Sequence, residues 1–181
     1  YYQLVIYIIF RFIRNYKMNF LESLVAEWYE YREYFVRSNV RTRERGKKGG
    51  YDVELDVLAF SPKDQSLVHI ETSSDANSWR ERKERFLKKK FILTHDEYED
   101  LVFKSKIKTI KKIAIVGWNY KTKSDLNWRD DIEVKLIPNL LEEITAKLKK
   151  TSPSKHVVPE NYPLLRTIQI MIEFQKRSTP V

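Results

Sequence analysis

The chain has 181 residues, with 34 Lys plus Arg against 25 Asp plus Glu and a net charge of +9; that length suits one domain with its own core and is short for two. It holds no cysteine, which excludes disulfides and thiolate metal sites and is compatible with a reducing, cytoplasmic location. The positive charge is clustered rather than even, which points to a polyanionic partner such as nucleic acid.

Residues 1–17 contain one apolar run, Leu4-Val5-Ile6-Tyr7-Ile8-Ile9-Phe10, interrupted at Arg11. A membrane helix needs about 20 apolar residues, and the run lacks the basic n-region and small-residue cleavage site of a signal peptide, so no membrane partner is expected. Met18 precedes a well-patterned helix. Residues 1–17 therefore read as a non-native or accessory extension, and residues 18–181 as a single domain. Asn19 is a good N-cap, with Glu22 three residues on. Leu21, Leu24, Val25, Trp28 and Tyr31 recur at helical spacing, which predicts an amphipathic helix over residues 20–33. Residues 35–40 alternate like a strand. Arg41, Arg43, Arg45, Lys47 and Lys48, with Glu44 and three glycines, then read as a flexible basic loop over residues 41–50. Lysine and arginine supply most of the salt-dependent affinity for nucleic acid, so these five are the candidate phosphate contacts.

Two strands and a short turn follow. In residues 51–60, Val53, Leu55, Val57 and Ala59 form one face, and Asp52, Glu54, Asp56, Leu58 and Phe60 the other. Residues 67–73 place Leu67, His69, Glu71 and Ser73 on one side. Ser61-Pro62-Lys63-Asp64 between them is good turn chemistry, because proline fixes φ at the second position. If Phe60 faces Leu67, Asp56 faces Glu71 and Glu54 faces Ser73. Directly opposed like charges destabilise a hairpin, so the Asp56–Glu71 pair calls for a cation. Mg²⁺ or Mn²⁺, hard ions that take carboxylate oxygens and keep several waters, fit that need. A hairpin whose acids simply face water is the alternative.

Gly49-Gly50, the Asp56-Val57-Leu58-Ala59 strand, the turn and Ile70-Glu71-Thr72-Ser73 together resemble the core of the PD-(D/E)XK, or restriction-endonuclease-like, nuclease superfamily. The stretch from His69 to Ser73 is also similar to uncharacterised members with an HIEPS-type motif, with Thr72 where proline stands. The resemblance implies an α/β fold, a central mixed sheet flanked by helices, and hydrolysis of phosphodiester bonds in DNA. It assigns Asp56 and Glu71, with the carbonyl of Thr72, to the metal, and places Ser73 where members carry a lysine that assists the attacking water. Members often carry an acid on the first helix, and Glu22 matches the Mrr-like position; Glu27 is its rival and a capping role its alternative. A nuclease-fold protein that binds nucleic acid without cutting it is the second functional reading, and a protein-interaction module the third.

A second helix is predicted from a cap at Ser74 or Asp75 to about residue 90, with Ala76, Trp79, Phe86 and Leu87 on one stripe. Lys83 lies within that stripe. The resemblance makes it the candidate substitute for the lysine absent at Ser73, the alternative being a stem that runs along the helix to carry its ammonium to water. Arg80 and Arg82 are expected toward solvent. A short helix from residue 95, strands at 110–118 and 132–137, and helices at 140–150 and 162–175 complete the expected order. The histidines are scattered, and no P-loop, Rossmann or serine-nucleophile motif occurs.

Overall fold

A computed structural model describes residues 19–44, 51–75, 77–117, 120, 122–150 and 156–178. Helix α1 (Phe20–Tyr31) starts where the sequence places it: Glu22 N donates to Asn19 Oδ1 at 3.0 Å, and Asn19 N donates back to Glu22 Oε2 at 3.3 Å. This reciprocal cap satisfies two of the amide groups that a helix start leaves without partners. Strands β1 (Phe35–Glu44), β2 (Tyr51–Ser61) and β3 (Ser66–Ser73) follow as an antiparallel meander. Helix α2 (Trp79–Arg85) runs into a π-helical turn (Phe86–Lys90), and α3 (His95–Leu101) comes next. Strands β4 (Thr109–Val116) and β5 (Ile132–Lys135) add parallel to β3, and α4 (Ile137–Lys149) and α5 (Pro163–Ser178) close the chain.

The result is an α/β fold: one five-stranded mixed sheet in the order β1-β2-β3-β4-β5, flanked by helices. On one face Val57, Ala59, Val68, Ile70, Ile113 and Ile115 pack against Leu24, Val25, Trp28, Leu140, Ile144 and Leu165 of α1, α4 and α5. The other face is covered by α2, the π turn and α3, through Leu58, Leu67, Tyr98 and Val102 and through Phe86, Phe91, Ala114 and Val116. Strand β3 is buried almost throughout, as expected for a strand covered on both faces. Glu27 lies outside the candidate site: its Oε2 accepts from Leu164 N at 2.9 Å and Leu165 N at 3.0 Å, capping the start of α5.

Phe60 does face Leu67, and the ladder continues to Val57 opposite Ile70. Four expectations need correction. Val53 and Leu55 do not share a face with Val57 and Ala59; the first two pack with Leu58 under α3, the last two under α1. The reversal falls where β1 and β2 pass from Ser38–Val57 to Val40–Leu55 with no ladder pair at Asn39 and Asp56. There Asn39 has φ +52°, a left-handed conformation that asparagine tolerates better than most residues and that turns the strand. The expected Glu54–Ser73 pair does not form, because the β2–β3 ladder ends at Val57–Ile70. On its other side Glu54 pairs with Arg41 of β1, and the guanidinium and carboxylate lie 3.4 Å apart. Residues 41–44 are strand rather than loop, because this twisted arm carries β1 beyond the edge of β3. Lastly, α2 is capped by Ser78, not by Ser74 or Asp75.

One backbone feature carries a local cost. After α3 the chain passes through Phe103 and Lys104, both at φ +58°, and Lys104 N donates to Glu99 O at 2.8 Å to close the helix. Glycine is the usual residue at such a helix end, since a Cβ there costs about 1 kcal/mol. Phe103 is 88% exposed, so burial does not offset that cost. No helix among the described residues is long and apolar enough to cross a membrane.

Candidate functional site

Beyond Val57–Ile70 side chains take over from the sheet ladder. Thr72 N donates to Asp56 Oδ2 at 2.8 Å, and Thr72 Oγ1 donates to the same oxygen at 3.1 Å. Asp56 N donates to Glu71 Oε1 at 3.3 Å. The two acids thus hold each other's strands, Asp56 9% exposed and Glu71 0%. Each has spent one oxygen on the fold, which leaves Asp56 Oδ1 and Glu71 Oε2.

Both remaining oxygens face the ammonium of Lys90, the last residue of the π turn. Lys90 Nζ lies 2.9 Å from Asp56 Oδ1 and 2.8 Å from Glu71 Oε2, and donates to Glu54 O at 2.6 Å. The approach to Glu71 Oε2 is close but not aligned as a hydrogen bond, so that fully buried oxygen has a charge beside it and no directed donor. Burial pushes the Glu71 pKa well above its usual 4.5, the Asp56 charge adds to this, and Lys90 opposes both. Burial alone would lower the Lys90 pKa, but Glu71 and Asp56 together outweigh it and raise it above 10.5. Lys90 is therefore an ammonium at neutral pH.

Behind Glu71 stands a buried relay. His69 Nε2 is 2.7 Å from Glu71 Oε1, and His69 Nδ1 is 2.7 Å from Tyr98 Oη. The His69 ring is 0% exposed and lies edge-on to Phe91, with centroids 4.9 Å apart. Burial, reinforced by Lys90 and Lys112, pushes its pKa well below 6.5, so the ring is neutral. Because Glu71 Oε1 accepts, Nε2 carries the proton and Nδ1 accepts from the tyrosine hydroxyl. Burial raises the Tyr98 pKa, which keeps that hydroxyl protonated.

Glu22 lies at the margin of this cluster. Its carboxylate is held by the Asn19 cap, and its pKa is raised first by burial and then by the Asp56 charge. Ser73 is occupied elsewhere: its Oγ donates to Asp75 Oδ2 at 2.7 Å and accepts from Arg85 at 2.9 Å and Arg82 at 3.3 Å. One donor and two acceptor positions are all a hydroxyl has, so it has nothing left to offer a water. Partial burial works to raise the Asp75 pKa, but hydrogen bonds from Ser73 and Arg85 outweigh it and hold it at about 2. Arg82, expected toward solvent, is 4% exposed and lies over the Trp79 ring. Lys83 points away from the acids and donates to Asn127 O at 3.0 Å.

The structure therefore brings together Asp56 and Glu71, leaves Glu22 held by its cap but within the field of Asp56, and adds a lysine from a position the sequence reading passed over. The signal for Lys90 was its spacing, four residues after buried Phe86. The π turn, closed by Phe91 N donating to Phe86 O at 3.0 Å, inserts the extra residue that such turns bring to functional sites. Of the five basic candidates, Arg41 pairs with Glu54 and Arg43 belongs to β1, while Arg45, Lys47 and Lys48 lie outside the described residues. Among the described residues no group of three or more Asp, Glu or His side chains is arranged to hold a metal. The fit to a divalent ion rests instead on Asp56 Oδ1 and Glu71 Oε2, two hard oxygens with a cation already drawn between them. An ion that keeps most of its waters needs only one or two carboxylates. Scanned against protein-family models and against curated proteins, the chain finds no match.

Proposed function

We propose that the protein is a Mg²⁺- or Mn²⁺-dependent nuclease that hydrolyses phosphodiester bonds, most readily in DNA, and that it belongs to the restriction-endonuclease-like group. The observation that carries this reading is the convergence of one free oxygen each from Asp56 and Glu71 on a single cation. The order helix, three strands, helices, strand agrees with it, as does the net charge of +9. Asp56 Oδ1 and Glu71 Oε2 would hold the ion. When bound, such an ion polarises the phosphodiester and lowers the pKa of a coordinated water.

The remaining chemistry belongs to the chain. Thr72 and His69 fix the rotation of the two carboxylates, so their free oxygens need no reordering before reaction. Lys90, protonated throughout the neutral range, would yield its place between the two oxygens to the ion and serve from beside it as a positive charge and hydrogen-bond donor for developing charge on the phosphate. It is not a base. Glu22, with its raised pKa, is the acid suited to accept a proton from water. Ser73 has no part in this scheme.

Incubating supercoiled plasmid with the protein and Mg²⁺ or Mn²⁺ tests the reading. Nicking by the wild type is expected, slowed about 10²-fold or more in Asp56→Asn and Glu71→Gln and unchanged within about twofold in Ser73→Ala. Nicking that persists in both acid variants removes the assignment. Salt-sensitive binding with no cleavage under any metal replaces it with the binding-only reading.

A further inference from the structure

Across the sheet Arg37 lies opposite Leu58, and Leu58 lies opposite His69. The three form one row on one face, and Glu71 is two residues along that face from His69. Strands lie about 4.8 Å apart and residues rise about 3.4 Å each along a strand, which puts the Arg37 backbone on the order of 12 Å from that of Glu71. Above Arg37 sits the helix end described earlier. The Arg37 guanidinium is 5.9 Å from the centre of the Phe103 ring and donates to Leu101 O, which fixes the ring from beneath. Phe103 is otherwise bare, and Lys104, Lys106 and Lys108 beside it are exposed. Of the nearby acids, Glu97 is engaged in capping Thr94 and Glu99 in accepting from Ile107 N, which leaves exposed Asp100 of α3 against Lys104, Lys106 and Lys108 in the charge balance of the turn.

We propose that the Phe103–Lys104 turn is a single-stranded nucleic-acid contact, in which the exposed face of Phe103 stacks on an unpaired base and Lys104 and Lys106 take the flanking phosphates. The residue is unfavourable for its own backbone and gains nothing from the core. An aromatic ring held out from a strained turn among lysines instead has the composition of a stacking platform, where an aromatic face binds any base and cations track the strand. Its position on the Glu71 face, a few nucleotides from the carboxylates, gives it a use: it would hold the strand leading to or from the cut. In that respect the inference rests on the nuclease reading, although the contact itself does not require cleavage.

Binding of a fluorescent oligothymidylate, measured with EDTA present, tests the contact apart from the chemistry. Phe103→Gly relieves the backbone, so it is expected to raise the thermal midpoint while weakening single-strand affinity by about fivefold or more. Phe103→Trp is expected to retain the affinity, and Lys104→Glu with Lys106→Glu to lower both affinity and its salt dependence. A wild type that does not bind the oligonucleotide, or Phe103→Gly binding as tightly as wild type, overturns the proposal. Loss of affinity in Phe103→Gly upholds it even where plasmid nicking fails, because that failure would count against the carboxylate chemistry alone.

Discussion

Lys90→Met is expected to lower the thermal midpoint by roughly 6–12 °C at pH 8, and to abolish any metal-dependent cleavage. The substitution keeps the length and packing of the stem but removes the charge that Asp56 and Glu71 share. Removing one partner from a buried ion cluster costs about 3 kcal/mol or more, since the charges left behind are uncompensated; for a domain of this size each 1 kcal/mol corresponds to about 2–4 °C. The deficit carries a pH signature. Glu71, whose pKa is already raised above 4.5 by burial and by Asp56, moves further up without Lys90. A group whose folded pKa is raised contributes stability below its unfolded value and loses it as pH rises through the folded value. The gap between variant and wild type should therefore widen on going from pH 4.5 upward and shrink on acidification. Calorimetric scans at pH 5 and pH 8 check this. An equal gap at both values would mean that Lys90 contributes through packing only.

Tyr98→Phe, and more severely His69→Ala, should loosen Glu71 from behind. Removing the Tyr98 hydroxyl leaves His69 Nδ1 buried without its partner at 2.7 Å, a loss of about 1–2 kcal/mol. His69→Ala strips Glu71 Oε1 of one donor, opens a cavity beside Phe91, and should cost about 3 kcal/mol. A structural role alone would show only in stability. The relay predicts more, because groups that orient a metal-binding side chain typically account for about 10–100-fold in metal affinity. Calorimetric titration of Mn²⁺ into folded Tyr98→Phe should therefore show weaker binding by about tenfold. Unchanged Mn²⁺ affinity beside reduced stability would make His69 and Tyr98 core residues only.

Much of this arrangement was legible in the sequence. Asp56 and Glu71 could be found from two alternating strands and a proline turn, because side chains alternate by rule and the turn fixes the register. The reading failed one step further on. Asn39 reverses the faces opposite Asp56, and a single left-handed residue has no reliable signature in an otherwise alternating run. Extrapolating the β2–β3 register past it set Glu54 against Ser73, where that ladder has already ended at Val57–Ile70. Lys90 was missed for a different reason. Regular helical spacing from Trp79 runs through Lys83 and Phe86 to Lys90, but Lys90 stands at the expected end of the helix as the last of three consecutive lysines, a run that reads as solvated charge. The His69–Tyr98 bond joins residues on different elements, and nothing in the local pattern around either announces it. Glu22 was legible as a cap, which it is, and the Asp56 charge contributes to its raised pKa.

The central claim is that Asp56 and Glu71 form a divalent-cation site. Diffraction from crystals soaked in millimolar Mn²⁺, with data collected at the manganese absorption edge, tests it most directly. An anomalous peak at about 2.1 Å from Asp56 Oδ1 and Glu71 Oε2, lost in Glu71→Gln, is the result predicted. Lys90 still seated between those two oxygens, with no manganese beside either, would contradict it.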